Sequence, residues 1–262
     1  MARFCPLFSS SKGNCIAVGG ADSFILIDAG VSAKRITEAI RARGLDICRL
    51  TGIFITHEHS DHISGLRVLA SKHHLPVFAN RETLAVLERE GHLAGTGGGV
   101  VCPDEGVEHY GMKITPFRTS HDTVNSCGYV VDTADGRRAA VATDTGCVTG
   151  EMNSALTGCD LVYIESNHDV AMLMNGPYPP NLKQRIVSTR GHLSNEACAV
   201  ELQYLAASGS ARFILGHLSQ ENNTAAKAKA ASSSALTAMN LREGVDYTLQ
   251  VAPPEGLGLT LF

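Results

Sequence analysis

The chain has 262 residues, of which 44% are apolar and 18% charged, and a formal net charge of −4. This composition is typical of a globular protein that buries a substantial core, and it argues against a protein that coats nucleic acid through bulk positive charge. No apolar run approaches the ~20 residues that a membrane helix needs. Residues 1–7 are too short and too polar for a secretory signal, so we expect a cytoplasmic protein without membrane association.

The first half of the chain alternates predicted strands with predicted helices. Strands are predicted at 3–7, 15–18, 23–27, 53–56 and 76–79, and helices at 33–43, from 63 to about 74, and at 81–90. Residues 94–106 are rich in glycine and are predicted to form an irregular, mobile loop.

The second half repeats this alternation. Strands are predicted at 113–117, 128–132, 139–142, 160–164, 212–215 and 247–251, and helices at about 168–175, 181–188, 195–208 and 224–240. The pattern suits an α/β protein built as a four-layer αβ/βα sandwich, with two sheets packed together and helices outside. No stretch has the composition of a linker, so we expect a single domain over 1–262.

The eight cysteines are scattered along the chain, and none forms a Cys-x-x-Cys pair. Several lie in apolar surroundings, such as Cys198 in a predicted helix. We therefore expect reduced core thiols and neither disulfides nor metal ligands.

Three imidazoles and the carboxylate of Asp61 lie within residues 56–62, which read Thr-His-Glu-His-Ser-Asp-His. They follow an apolar, β-branched run and precede a predicted helix, so they occupy a turn at the carboxyl end of a core strand. Imidazole and carboxylate are the usual ligands of zinc and similar ions, which predicts a metal site at His57, His59, Asp61 and His62. The spacing suggests two ions, because the first two histidines alternate and the last two residues lie one turn further on.

Residues of the same types follow later predicted strands. His121, Asp144 and His217 each come directly after an apolar strand, although each alone is equally typical of an ordinary polar residue at a strand end. Asp28 also follows a strand. It is expected either to accept a hydrogen bond from a ligand imidazole or simply to form the turn before Gly30.

The His-x-His-x-Asp-His pattern resembles the signature of the metallo-β-lactamase superfamily. The resemblance implies the four-layer fold of that family, two divalent ions and seven ligands: His57, His59 and His121 on one ion, Asp61, His62 and His217 on the other, and Asp144 between them. Zinc or manganese is the expected ion, and the imidazole-rich set also admits iron. Such an ion pair lowers the pKa of a shared water to near 7 and serves hydrolysis of a phosphodiester, a thioester or a lactam alike.

Residues beyond this ligand set bear on the substrate. His168 and His192 are surplus to the metal site and are candidate proton donors or phosphate ligands, or else polar residues at helix starts. Arg185 and Arg190 add positive charge suited to phosphate, as does Lys183, which is equally typical of a solvated helix face.

Five stretches resemble the YycJ (WalJ) branch of the superfamily: Ser-Ser-x-Gly-Asn-Cys near the start, His-Glu-His-Ser-Asp-His, Glu-Ser-Asn-His-Asp, Gly-His-Leu-Ser-Asn-Glu and His-Leu-Ser-x-Glu-Asn-Asn. This resemblance implies a metal-dependent phosphodiesterase that acts on DNA as a 5′-to-3′ exonuclease. We predict catalytic roles for Asp61, His192 and His168, and substrate contacts for Asn14, Asn167 and Arg190. The branch is expected to read Ser-Gly-Ser-Ser-Gly-Asn at its first loop, whereas this chain has Ser-Ser-Ser-Lys-Gly-Asn, so a glycine is lost and Lys12 is gained.

Other functions stay open at this point. Hydrolases of the same fold include glyoxalase II-type thioesterases, β-lactamases, transfer-RNA 3′-end endonucleases and cyclic phosphodiesterases. The short segment after His217 argues against the first, and the lack of a signal peptide argues against an extracellular lactamase. A di-iron redox protein or a non-catalytic metal-binding partner of DNA repair proteins is the alternative of another class, and the complete ligand set argues against the second of these.

Overall fold

A computed structural model describes all residues, 1–262, as two seven-stranded sheets with helices on their outer faces. The strands are β1 (Arg3–Ser10), β2 (Gly13–Gly19), β3 (Phe24–Ile27), β4 (Leu50–Phe54), β5 (Val77–Ala79), β6 (Gly99–Val101), β7 (Val107–His109), β8 (Met112–Arg118), β9 (Cys127–Asp132), β10 (Arg138–Ala142), β11 (Leu161–Glu165), β12 (Arg212–Gly216), β13 (Thr248–Val251) and β14 (Thr260–Leu261). The α-helices are α1 (Ala33–Ala42), α2 (Ser60–Ile63), α3 (Leu66–His73), α4 (Arg81–Arg89), α5 (Gly150–Leu156), α6 (Val170–Asn175), α7 (Pro180–Ile186), α8 (Asn195–Ala207) and α9 (Ala225–Ala238). None of these helices is long and apolar enough to cross a membrane.

The two sheets have related strand orders. The first runs β14-β1-β2-β3-β4-β5-β6, and the second runs β13-β12-β11-β10-β9-β8-β7. Strands β3 to β6 are parallel to one another, as are β10 to β13. Strand β9 is antiparallel to both of its neighbours, β8 and β10, so β8 runs in the same direction as β10. The carboxyl ends of β8, β10, β11 and β12 therefore lie at one edge of the second sheet.

Three apolar layers hold the sandwich together. The central layer lies between the sheets and includes Phe4, Phe54, Tyr129 and Tyr163, all of which are fully buried. One outer layer joins the first sheet to α1, α3 and α4, and the other joins the second sheet to α5, α8 and α9. Burial of this apolar area is the main favourable term in folding. The order of the layers confirms the predicted four-layer αβ/βα arrangement.

The structure corrects two of the predicted elements. The helix predicted from 63 to 74 is two helices, α2 and α3, separated at Gly65. A Cβ atom on that glycine would lie 2.0 Å from the carbonyl oxygen of Val31, so the chain makes a close approach there that only glycine allows. The glycine-rich segment predicted to be irregular contains β6, which pairs with β5.

Candidate metal centre

The predicted ligands converge where the carboxyl ends of strands from both sheets meet. His57 follows β4, His121 follows β8, Asp144 follows β10 and His217 follows β12. Rings from the two sheets approach closely, since the centroids of His57 and His121 are 5.2 Å apart and those of His62 and His217 are 5.7 Å apart. Strand direction therefore places ligands that are distant in sequence around one point.

Asp28 orients two imidazole rings that follow the first sheet, those of His57 and His62. Its Oδ2 accepts a hydrogen bond from His62 Nδ1 over 2.7 Å. The hydroxyl of Thr56 donates to the same carboxylate over 2.9 Å, so its oxygen can accept from His57 Nδ1, 3.0 Å away. Both rings then carry their proton on Nδ1 and present a bare Nε2 to the centre. Of the two roles expected for Asp28, the structure places it against a predicted ligand.

Two imidazoles from the second sheet are fixed in the same way. His121 Nδ1 donates to the carbonyl oxygen of Gly191 over 2.9 Å, and His217 Nδ1 donates to Asn14 Oδ1 over 3.1 Å. A carbonyl oxygen can only accept, so these contacts also leave Nε2 unprotonated.

The atoms that face the centre lack hydrogen-bond partners within the protein. They are the Nε2 atoms of His57, His121 and His217 and Oδ2 of Asp144, all of them buried. The ligand atoms of His57, His59 and His121 lie within 4.8 Å of one another, and so do those of Asp61, His62 and His217. Buried imidazole nitrogens and carboxylate oxygens without partners are costly unless a cation joins them, so this donor set fits divalent metal ions.

Burial and neighbouring side chains lower the pKa values of both His57 and Asp144, for different reasons. Burial, aided by the neighbouring His62, holds the pKa of His57 well below its usual value, which keeps the ring neutral. Burial alone would raise the pKa of Asp144, but the nearby His217 and His62 outweigh it and lower that pKa well below its usual range. A neutral imidazole and an ionised carboxylate are the forms that bind metal.

Three residues of the centre have a strained backbone. Asp28, Asp144 and His217 have φ angles of 62°, 54° and 53°, in the left-handed region that few residues other than glycine adopt. Such conformations cost about 1–3 kcal/mol each and persist where surrounding contacts fix them, which occurs most often at functional sites.

The pairing of His192 with Glu165 was not predicted. His192 Nδ1 lies 2.7 Å from Glu165 Oε1, and the other oxygen of this fully buried carboxylate accepts from the backbone N–H of Thr145 over 2.9 Å. Burial lowers the pKa of His192, but Glu165 outweighs this effect and raises it to about 9. The sequence carried a signal for it, because Glu165 is a carboxylate at the carboxyl end of an apolar strand, β11, just as Asp144 is after β10.

His192 is better placed for chemistry than His168. The side chain of His192 is 19% exposed and lies 3.7 Å from Asp144 Oδ1 through its Nδ1. His168 is only 2% exposed, and its backbone carbonyl accepts a hydrogen bond from the start of α8. Burial excludes His168 from contact with a substrate, so the structure argues against its predicted catalytic role.

Asn14 and Asn167 are buried as well. They are 1% and 3% exposed, and both hold His217, the first at the ring and the second at the backbone carbonyl over 3.0 Å. Neither is accessible to a substrate, so their predicted substrate contacts are not supported. They lie beneath the ligand and orient it.

The predicted phosphate-binding arginines have protein partners. Arg190 donates from Nε and Nη2 to the carbonyl oxygen of His121, over 3.1 and 3.0 Å. Arg185 pairs with Asp122, and this contact holds the pKa of the carboxyl below its usual value. Lys12 is exposed at the tip of the β1–β2 hairpin.

Comparison with known proteins shows the family of the chain. The chain matches the family described as Beta-lactamase superfamily domain over residues 24–218. The chain belongs to the β-lactamase superfamily. It is 35% identical over 257 residues to the exodeoxyribonuclease YycJ of Bacillus anthracis, a match that covers 97% of this chain and 96% of that protein. It is 34% identical over 260 residues to the exodeoxyribonuclease WalJ of Streptococcus pneumoniae, with 97% and 95% covered.

Within the β-lactamase superfamily, the predicted resemblance to the YycJ (WalJ) branch is confirmed, because both relatives match almost the whole chain. A solved structure agrees on the fold. The metallo-β-lactamase fold protein YhfI from Bacillus subtilis matches with a TM-score of 0.72 at 14% identity, over 97% of each chain. The predictions of the fold and of a metal-dependent hydrolase are therefore confirmed.

Proposed function

We propose that this member of the β-lactamase superfamily is a metal-dependent phosphodiesterase that digests DNA as an exonuclease. The observation that carries the proposal is the His192–Glu165 pair beside the candidate metal centre, in which the imidazole is partly open to solvent and the carboxylate is buried. The names of the full-length relatives, exodeoxyribonucleases YycJ and WalJ, support the same substrate class. A 5′-to-3′ direction is part of the proposal and rests on the resemblance to that branch.

Two ions are proposed, with three ligand side chains each and one shared carboxylate. The ligands are His57, His59 and His121 for one ion, Asp61, His62 and His217 for the other, and Asp144 between them. Bound there, divalent ions would supply Lewis acidity to the attacked phosphate and activate a water. Zinc and manganese both suit this donor set, and cellular availability selects between them.

His192 is proposed as the proton donor to the leaving oxygen. Glu165 accepts from its Nδ1, which fixes the ring and leaves Nε2 as the atom that can hold and release a proton. A positioned proton donor favours a phosphodiester substrate over a thioester substrate. A thiolate leaves without help because a thiol has a pKa of about 8.5, whereas an alkoxide leaves far less readily and needs a proton.

The first experiment is digestion of end-labelled single- and double-stranded DNA by the purified protein with zinc or manganese. Asp61→Ala and a chelator are run alongside. We expect stepwise, metal-dependent shortening that is lost in the variant, and labels at the two ends give the direction. Absence of digestion with either ion would overturn the nuclease proposal, and a panel of small phosphodiesters and thioesters would follow.

A second experiment isolates the proposed proton donor. His192→Ala should lower kcat by about 10²–10⁴-fold while leaving metal content unchanged. A DNA substrate with sulfur at the leaving-group position needs no proton donor, so the variant's deficit should shrink sharply on that substrate. An equal deficit on the oxygen and sulfur substrates would assign His192 a role other than proton donation.

A further inference from the structure

Arg190 lies against His121, the proposed ligand that follows β8 in the antiparallel part of the second sheet. Its guanidinium donates from Nε and Nη2 to the carbonyl oxygen of His121, and Nη2 also lies 3.4 Å from the carbonyl oxygen of Thr123. One planar group thus spans two carbonyls of the loop after β8. Arginine suits this role because its donors are fixed in one plane, whereas lysine offers a single ammonium.

Neighbouring residues of the same segment continue this contact. The carbonyl oxygen of Thr189 accepts from the Ser120 hydroxyl over 2.7 Å, and that of Gly191 accepts from His121 Nδ1 over 2.9 Å. Three consecutive residues, 189–191, therefore hold two consecutive residues of the loop. The next residue along the chain is His192, the proposed proton donor.

The held ligand has no other anchor for its ring. His121 is 4% exposed, and its Nε2 has no hydrogen-bond partner within the protein. Gly191 thus accepts the one hydrogen bond of the ring, and Arg190 is the only group that donates to the carbonyl oxygen of His121. In metal sites, residues that fix the orientation of ligands in this way commonly contribute 10–100-fold to metal affinity.

We propose that Arg190 is a positioning residue for the ion held by His57, His59 and His121, and that it does not serve primarily as a phosphate contact. The inference rests on the proposed metal centre but not on the proposed substrate. Because two hydrogen bonds of the guanidinium end on the carbonyl oxygen of His121, its loss loosens the backbone of this ligand and leaves the Asp61, His62 and His217 set untouched. The two ions should then respond differently to the same substitution.

The test is a competition titration of the metal-free protein with zinc against a chromophoric chelator. For Arg190→Ala we expect one of two zinc sites to weaken by about 10–100-fold and the other to keep its affinity. Arg190→Lys, which can still donate to one carbonyl, should fall between this variant and the unaltered protein. Lys183→Ala is the matched control, because it removes one positive charge from α7, where the ammonium contacts only the carbonyl oxygen of Met174.

A second measurement keeps the proposal testable if Arg190→Ala folds poorly. The Nδ1–H of His121 should give a hydrogen-bonded imidazole resonance in the NMR spectrum, and in Arg190→Lys it should exchange faster with solvent. Unchanged affinity at both zinc sites in folded Arg190 variants would overturn the proposal. A raised KM for DNA with unchanged zinc affinity would overturn it in favour of a phosphate contact. No DNA is needed for the zinc readout, so failure of the nuclease assay leaves this test intact.

Discussion

At the scale of single residues, four of the five proposed imidazole ligands are fixed by the partner of their Nδ1 atom, namely His57, His62, His121 and His217. Asp28 is the most consequential of these partners, because it binds His62 directly and His57 through the Thr56 hydroxyl. It is only 2% exposed, so its charge is poorly screened by solvent. A single carboxylate thus orients one proposed ligand of each ion.

Asp28→Asn should weaken metal binding by about 10–100-fold, because the amide keeps the size of the side chain but removes the charge that supports His62. Zinc affinity measured by competition checks this expectation. Asp22→Asn is the control, since the Asp22 side chain is 99% exposed at the far hairpin turn. Equal zinc affinities in the two variants would contradict the role given to Asp28.

The cysteines offer a second residue-scale prediction. Burial raises the pKa of the Cys5 thiol to about 11 and that of several others to about 12, namely Cys102, Cys127, Cys159 and Cys198. These thiols are buried and almost fully protonated at pH 8. Because only the thiolate attacks a disulfide reagent, they should react slowly in the folded protein. All eight cysteines are free in the structure.

We expect Cys48, the one exposed cysteine, to react at once with Ellman's reagent at pH 8. Cys147, which is partly buried, should react more slowly, and the other six should react only after denaturation. Cys48→Ser should remove the fast phase alone. Rapid modification of more than two thiols in the folded protein would contradict the described core.

At the scale of elements, the β1–β2 hairpin carries both a buried group that supports the centre and an exposed cation. Asn14 at the start of β2 lies 3.4 Å from Asp61 and 3.2 Å from His62, so the hairpin tip lies beside the centre. Lys12, two residues earlier, is exposed. An exposed ammonium next to a phosphodiesterase site is well placed to contact a phosphate.

Lys12→Ala should weaken DNA binding and reduce the slope of log affinity against log salt concentration by about one. Zinc content should not change, because Lys12 contacts none of the proposed ligands. Lys34→Ala on α1, where the side chain is 83% exposed, is the control for loss of one charge. An unchanged salt slope in Lys12→Ala would place the DNA elsewhere.

Gly30 lies in the loop between β3 and α1 and packs against α2, the helix that carries Asp61 and His62. A Cβ atom there would lie 1.7 Å from the carbonyl oxygen of Asp61 and 2.6 Å from the backbone nitrogen of Asn14. Both neighbours are backbone atoms and cannot rotate away. The close contact of these segments therefore requires glycine.

Gly30→Ala should destabilise the protein by about 3 kcal/mol or more, because overpacking against fixed atoms forces backbone shifts. The melting temperature should fall by roughly 5–10 °C, measured by circular dichroism. Gly20→Ala is the matched control, because a Cβ at that turn meets no atom within 4 Å. Equal melting temperatures for the two variants would show that the backbone at Gly30 yields easily.

At the scale of the whole molecule, the centre joins the two sheets. His57 and His62 follow a strand of the first sheet, and His121 and His217 follow strands of the second. We infer that 1–262 is one domain, because β14 at the end of the chain pairs with β1 at its start. Ions bound across this junction would link the two halves.

Metal should therefore stabilise the fold as a whole. At a free ion concentration 100 times Kd, one site contributes about 2.7 kcal/mol to the free energy of unfolding, which raises the melting temperature by roughly 5–10 °C. Zinc titration followed by thermal unfolding checks this. His57→Ala and His217→Ala, one from each sheet, should each lose a large part of the stabilisation. A melting temperature that is independent of zinc would contradict binding at the junction.

Most of the proposed ligands could be predicted, because each occupies a position that a local sequence pattern marks. The ligands at 57–62 stand on one turn, and each of the others directly follows an apolar strand whose periodicity is visible in the sequence. Strand direction then brings the ends together without further information. The same local patterns predicted most elements within a few residues. They missed β6, β7 and β14, because strands of two or three residues carry little periodicity.

The sequence by itself determined the layered architecture, the types of ligand and their place at strand ends, since these depend on burial and chemistry within one element. Only the tertiary structure decided which side chains support the ligands. His217 and Asn14 are 203 residues apart, Arg190 and His121 are 69 apart, and His192 and Glu165 are 27 apart. A residue's own periodicity predicts its burial but not its partner, because the partner is set by which loops meet after the sheets have packed. That is why Asn14 and Asn167 were expected at the substrate and lie instead beneath His217.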